Sequence, residues 1–391
     1  MIPGENKLIA FIRKHILVLI VIFATLATLY ARYCFRDYIS GDMKGCLLAW
    51  FDTIREQGGI RGLGEPVGDY NIPYQTIIAL FTYLPFRPEY MYKGLSIAFD
   101  YLLAWAVAQL VYDLTRQRLL QVIAYVGTAG LPIVVLNSAP WGQCDSIYTF
   151  FCVLSLLLLL RKRYLLCFIA YGAAFAFKLQ AVFLLPFFLF AWLVRERVSI
   201  AHFLLIPAVD AIMCLPGMIE GQGLQGMVKA YLGQVNVSRK IMWNYPSFWG
   251  LLINNKVGKL FEYFKVTAIG TTMLVLLCIL VLLLKRGKAF SDRQMLEIAF
   301  IMTFTCVFFL PAMHERYSYL YLILGLGVTV INPATLPAFL ALLLIDMQTY
   351  GMYLFNLETM PWVALSLLNL AAYAFYLLKL GGPILRESAQ A

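Results

Sequence analysis

Residues 16–33 read ILVLIVIFATLATLYARY, and seven residues later the chain turns polar at Ser40-Gly41-Asp42-Met43-Lys44-Gly45. A predominantly apolar run of this length crosses a hydrocarbon core of about 30 Å as a helix. Lys7, Arg13 and Lys14 precede it. Positive residues stay on the cytoplasmic side, so the run is expected to deliver the polar stretch to the opposite face. The remainder of the chain repeats this alternation. Of the 391 residues, 62% are hydrophobic and 13% charged, against roughly 45–50% and about 25% in soluble domains. The short alternating segments of a β-barrel are absent. The expected fold class is all-α: a polytopic membrane protein of about twelve transmembrane helices, forming one integral membrane domain over residues 1–391.

The net charge of +10 does not imply a nucleic-acid partner, because the basic clusters sit at the ends of apolar runs, where they set orientation. The first run has no small-residue cleavage site after it and reads as a retained anchor. The eight cysteines contain no C-x-x-C pair and no metal-ligand spacing. Cys152, Cys167, Cys214, Cys278 and Cys306 fall inside apolar runs as small fillers. Cys34, Cys46 and Cys144 fall near the outer face, where a disulfide has room to form.

Taken in order, residues 36–72 form a polar loop with glycines at 58, 59, 62, 64 and 68. The apolar run between Pro73 and Pro85 is short for a span and is expected to be a re-entrant or interfacial helix. Spans follow at about 91–114, 119–137, 146–160, 164–177, 180–194, 199–217, 266–284, 295–312, 317–331, 334–350 and 361–379. The turns at 116–118, 161–163, 195–197 and 285–288 are basic. Span count and charge then agree on one orientation, with both termini cytoplasmic. A second outer loop, 218–262, holds Tyr231, Gln234, Asn244, Tyr245 and Trp249, and a sequon at 236–238.

This orientation gathers Asp37, Asp42, Lys44, Asp52, Asp69, Asp145, Lys178, His314, Glu315 and Arg316 at the outer face. Ionisable residues at membrane depth are costly unless paired, so each is a candidate functional group. Plainer readings stand beside these. Asp42 and Asp145 suit helix N-caps, and Asp69 suits a turn. Trp141 and the outer tyrosines suit an interfacial belt. Lys178 suits snorkelling to headgroups, and His314-Glu315-Arg316 suits a local ion pair at a helix end.

Several blocks together resemble a known family. They are Ser40-Gly41-Asp42, Gly68-Asp69-Tyr70-Asn71-Ile72-Pro73-Tyr74, and Lys93-Gly94-Leu95-Ser96-Ile97-Ala98-Phe99-Asp100. Further on come Trp141-Gly142-Gln143-Cys144-Asp145, Phe177-Lys178-Leu179-Gln180-Ala181 and Met313-His314-Glu315-Arg316-Tyr317. In this order they resemble membrane glycosyltransferases of the GT-C class, and within it the bacterial GPI mannosyltransferase 2-related (mannosyltransferase-like) proteins. The resemblance implies a GT-C fold. It implies a first outer loop at 36–90 with a catalytic acid, a helical core at 91–320, and variable C-terminal helices at 321–391. It also implies a polyprenyl-phosphate-linked sugar, mannose or another hexose, as donor. Transfer would occur with inversion to a glycan, lipid or protein acceptor on the extracytoplasmic face of a bacterial plasma membrane.

On that resemblance Asp42 takes the catalytic position. Many members carry a second acid in this loop, for which Asp37, Asp52 and Asp69 are available. Asp69, Tyr70, Trp141, Gln143, Asp145, Gln180 and Glu315 are the candidate substrate-binding residues, with Lys178, His314 and Arg316 on the donor phosphate. A carboxylate suits removal of the acceptor hydroxyl proton, and pre-placed cations suit the departing phosphate. No cofactor is called for beyond the lipid-linked donor, and no metal-ligand spacing is present. A secondary transporter, whose halves are commonly repeated, and a lipid-linked glycan flippase or polymerase are the rival readings.

Overall fold

The computed structural model describes residues 3–226, 228, 231, 240–253, 258–357 and 360–386. Gln234 and the sequon at 236–238 lie outside the described residues. The described residues are helical, without strands. The first half comprises α1 (Pro3–Cys34), α2 (Leu48–Glu56), α3 (Ile72–Phe81), α4 (Pro88–Thr115), α5 (Arg118–Ala129) and α6 (Pro132–Leu136). It continues with α7 (Asp145–Leu160), α8 (Tyr164–Phe177), α9 (Leu185–Val194), α10 (Leu205–Met213) and α11 (Leu215–Gly217). The second half comprises α12 (Phe261–Arg286), α13 (Asp292–Phe309), α14 (Tyr319–Ile331), α15 (Leu336–Phe355), α16 (Trp362–Tyr376) and α17 (Gly382–Arg386).

Each expected span carries helix, but the lengths differ from expectation. Among the described residues six helices are long and apolar enough to cross a membrane. A seventh crossing arises if Ile200–Met213 and Leu215–Gly226, bent by 51°, act as one. Five further apolar helices run 10–17 residues, which covers at most about 26 Å, and α13 has 18. The run after Pro73 forms the ten-residue α3, whose Ile72, Tyr74 and Ile78 are buried. One side of it packs into the protein, while Leu80 near its end stays exposed.

Burial explains the two length classes. Every residue of α13 from Gln294 to Phe309 is buried, as is every residue of α14 from Tyr319 to Val330. A helix apolar on all sides belongs inside a bundle. By contrast, α1 has none of its apolar window buried, and Phe23 and Leu26 are 75% and 61% exposed. Along α12, Val266 and Met273 are likewise open. Exposed apolar surface on this scale requires a hydrocarbon surround, so the protein is α-helical and membrane-embedded.

Local chemistry fixes the helix ends. Proline stands in the first turn of α3, α4, α6 and α15, where its missing N–H costs nothing. A capping box starts α13: the Gln294 amide donates to Ser291 Oγ at 3.2 Å, and the Ser291 amide donates to Gln294 Oε1 at 3.0 Å. The basic turns also meet one another's acids. Arg161 and Arg116 both reach Asp113, at 2.6 and 3.7 Å, and Arg195 reaches Asp292 at 2.8 Å.

One buried ion pair ties the exposed α1 to the core. Arg32 Nε and Nη2 donate to Asp100 Oδ2 at 3.0 and 2.9 Å, and Nη2 also donates to the Ala129 carbonyl at 3.0 Å. Both side chains are 1% exposed. Nearby, Lys93 Nζ donates to the carbonyls of Phe35, Arg36 and Tyr38 at 2.8, 2.9 and 2.6 Å. An ammonium at the negative end of a helix is favourable, and this one directs the chain from α1 toward residue 40.

Removing one partner of a buried pair strands a charge, at a cost of roughly 3–5 kcal/mol, whereas replacing both by apolar residues is often neutral. Asp100→Leu is therefore expected to lower the melting temperature in detergent. The double variant Arg32→Met/Asp100→Leu is expected to regain most of the loss, which a thermal melt of the three proteins checks.

Candidate functional site

Past Lys93's three carbonyls, Ser40 makes the turn. Its Oγ accepts from the Met43 amide at 3.1 Å and donates to the Trp141 carbonyl at 2.9 Å. Ser40, and not Asp42, therefore serves as the cap, and the Asp42 carboxylate is left to face side chains. A π-helical turn, Met43–Leu47, follows directly, and a second, Asn137–Trp141, lies across from it. Such turns displace side chains from the regular helical positions.

Gly142 lets the two turns approach. Its φ is +74°, and a Cβ there would stand 2.2 Å from Met43 Cε. The left-handed φ favours glycine, and any side chain there would have to displace the Met43 methyl. The close seat brings Trp141 Nε1 and Gln143 Nε2 each to 2.8 Å from Asp42 Oδ2. Tyr353 donates to Asp42 Oδ1 at 2.6 Å. Two carboxylate oxygens offer about four acceptor positions, so three donors leave one on Oδ1.

Gln143 joins the acid to a cation. Its Oε1 accepts from Tyr70 OH at 2.5 Å and from Arg316 Nη1. A carboxylate on one side and a guanidinium on the other determine which end of the amide faces which. Among the described residues no carboxylate lies within ion-pair distance of Arg316, and its Nε has no hydrogen-bond partner.

Asp42, Asp69, Tyr70, Gln143, Lys178, Gln180, His314 and Arg316 line one cavity of about 190 Å³. Eight of the eleven residues singled out in the sequence thus converge. The other three do not reach it. Trp141 is fully buried, stacked on Tyr353 with centroids 4.7 Å apart, and holds Asp42 where substrate contact was expected. Asp145, also fully buried, pairs with Lys178 at 2.5 Å and accepts from Asn137 at 2.9 Å; it neither caps α7 nor meets the cavity. Glu315 is 2% exposed and lies off the cavity, with Oε2 unpartnered among the described residues.

The expected cations also separate. Lys178 is consumed by Asp145, so it is a wall of the cavity and neither snorkels nor stands as an open charge. Burial, reinforced by the neighbouring Arg316 and Lys178 charges, drives the His314 pKa down to about 3, so its ring is neutral near pH 7. Of these three, Arg316 alone is a charged group with no carboxylate within ion-pair distance among the described residues. Of the three possible second acids, Asp37 pairs with Arg36 at 3.1 Å and Asp52 with Arg55 at 2.8 Å. Only Asp69 lines the cavity.

A second cavity, about 240 Å³, adjoins the first and shares Gln180, His314 and Tyr317 with it. Its further lining is largely apolar, including Val182, Phe183 and Ile269, with Lys265 as its one added charge. Ile269 belongs to the exposed α12. The loop at 310–316 is held from behind by residues 241–243. The Ala312 amide donates to the Ile241 carbonyl at 2.7 Å, and the Trp243 amide to the Met313 carbonyl at 3.3 Å. Tyr245 and Trp249 point into the core, where Tyr245 OH meets Tyr321 OH at 2.9 Å and Trp249 donates to the Phe309 carbonyl at 2.6 Å.

Tyr353 had no signal in the sequence, since α15 carries no motif; only its hydrogen bond to Asp42 reveals it. All eight cysteines are free thiols, so no disulfide joins Cys34, Cys46 and Cys144. Among the described residues no group of three or more His, Cys, Asp or Glu is placed to hold a metal ion. No protein-family profile matches the chain, and no curated protein matches it significantly.

Burial raises the Glu315 carboxyl to about 7, against the opposing pull of Arg316. A carboxyl raised in the folded state binds its proton there while the unfolded chain has lost it. Stability from this group is therefore present at low pH and falls as pH rises from the ordinary value through 7. Glu315→Gln, which fixes the neutral form, is expected to melt within a degree or so of the parent at pH 4.5 and a few degrees above it at pH 8. Paired melting curves at the two pH values check this.

Proposed function

We propose that the protein is an inverting glycosyltransferase of the GT-C kind, with about twelve helices in the membrane and both termini cytoplasmic. It moves mannose or another hexose from a polyprenyl-phosphate donor to a glycan, lipid or protein acceptor. The work is done on the extracytoplasmic face of a bacterial plasma membrane. The observation that carries the reading is Gln143, whose single amide holds the Asp42 carboxylate on one side and the carboxylate-free Arg316 guanidinium on the other, at one cavity.

In this reading the acceptor hydroxyl donates to the open position on Asp42 Oδ1 and attacks C1 of the sugar. The new C1–O bond forms as the C1–O bond to phosphate breaks. The proton passes to Asp42, and the bonding pair leaves on the phosphate oxygen. General-base help of this kind is worth about 10²–10⁴-fold. Arg316 meets the charge that gathers on the phosphate, and a guanidinium fork suits phosphate oxygens. Lys178, neutralised by Asp145, shapes the wall with Tyr70. The apolar second cavity offers the donor's isoprenoid chain a path to the lipid side of α12.

The reading is tested in proteoliposomes with labelled polyprenyl-phosphate mannose, measuring release of free polyprenyl phosphate. Asp42→Asn keeps one oxygen for Trp141 and Gln143, so the cluster persists. Its turnover is expected to fall by about 10²–10⁴-fold with an unchanged melting temperature. Arg316→Ala is expected to need far more donor for half-maximal rate. Near-parental release by the Asp42→Asn protein would remove Asp42 from the role. Movement of the intact donor without release would point to a flippase instead.

A further inference from the structure

The end of α13 remote from residue 310 borders a cavity of about 500 Å³, closed on its other side by residues 378–386. Arg293, Lys379 and Arg386 face it. Arg293 Nε pairs with Glu297 at 3.1 Å. Among the described residues no carboxylate lies within ion-pair distance of Lys379 or Arg386. Among the described lining residues three cations thus face the cavity against one acid, Glu297, which is engaged.

A groove of about 350 Å³ adjoins it and shares Leu378, Gly382 and Ile384. Its walls are Leu282 and Leu283 of α12, Ile298 and Ile301 of α13, and the chain around Gly381. Leu282 is 50% exposed on the face that requires a hydrocarbon surround. Cations at helix ends beside an apolar trench along those helices match the profile of a lipid at the membrane boundary. A free anion would use the cavity alone; only a lipid uses both.

We propose that this is a binding site for an anionic glycerophospholipid. Its phosphate sits against Lys379 and Arg386, with Arg293 beyond. One acyl chain fills the groove between α12 and α13. Net negative headgroups are preferred because Glu297 is held by Arg293, which leaves nothing for a choline or ethanolamine nitrogen. The proposal needs the membrane-embedded fold and is independent of the catalytic reading.

The test uses the full chain in a neutral detergent, with melting temperature as the readout. A ligand that binds only the folded state stabilises it by RT ln(1 + L/Kd), with L the free ligand concentration, so at equal concentration the tighter ligand gives the larger rise. Phosphatidylglycerol is expected to raise it by several degrees. Phosphatidylcholine with the same chains, and inorganic phosphate at matched ionic strength, are expected to give less than about a third of that shift. Lys379→Gln/Arg386→Gln changes two exposed side chains and is expected to melt like the parent in detergent alone while losing most of the phosphatidylglycerol shift. Gly381→Phe, where a Cβ meets nothing within 4 Å, fills the groove and is expected to lose it as well. Equal shifts from phosphatidylcholine or from phosphate would overturn the proposal. So would a phosphatidylglycerol shift that survives in both variants.

Discussion

The seat of the Gly142 turn on Met43 is the contact on which the candidate site depends. A Cβ at Gly142 would lie 2.2 Å from Met43 Cε, and Met43 itself is fully buried. The Met43 methyl thus lies directly against the Gly142 backbone, in space that a side chain at 142 would claim. Ser40 Oγ ties the two segments by accepting from Met43 and donating to Trp141. The Asp42 carboxylate follows from this as a consequence. Its position is set by a short side chain on a doubly anchored turn, and its donors arrive from Trp141 and Gln143 on the opposite segment. Close packing transmits position where a long flexible side chain would not.

Charge is distributed around that seat in two different ways. Asp145 and Lys178 satisfy each other at 2.5 Å, so together they add shape and little field. Breaking such a pair is costly, while the intact pair contributes little net stability. Arg316 is the opposite case. It keeps a hydrogen bond to Gln143, but no carboxylate among the described residues neutralises it. Arg316 therefore faces the cavity beside a neutral His314 ring, with its charge offset only at longer range by Asp145 and Glu315.

Much of this architecture was legible in the sequence, because apolar run length reports helix position directly. The helices begin and end near where hydropathy and basic turns place them; α4 covers Pro88–Thr115 against an expected 91–114. What hydropathy could not report is which runs face lipid. A buried helix and a lipid-facing one are equally apolar, so hydropathy did not distinguish the 13-residue α14, which the core encloses, from the exposed α1. At the site, ionisable residue type picked out five of the converging groups, Asp42, Asp69, Lys178, His314 and Arg316, whereas Tyr70, Gln143 and Gln180 were singled out only by the family resemblance. Residue type could not assign their roles, because those depend on partners far away in the chain. Lys178 and Arg316 look alike as cations until Asp145 is seen beside one of them. Tyr353 meets Asp42 across 311 residues, from a helix with no motif of its own.

The rigidity of α13 bears on how the cavity would act on a ligand. Sixteen consecutive residues, from Gln294 to Phe309, are buried, so the helix has no free face along which to slide. Its 18 residues rise about 27 Å from the cationic cavity to the loop of His314 and Arg316. That loop is braced again by backbone bonds from Ile241 and Trp243. Arg316 is therefore held in place before any anion arrives. A charge fixed in advance needs no reorganisation when negative charge develops near it, and that is the condition under which such groups contribute most to a transition state. The same bracing explains why the open cation can persist: the core holds Arg316 at the cavity, where a mobile loop would let it swing toward water or an acid.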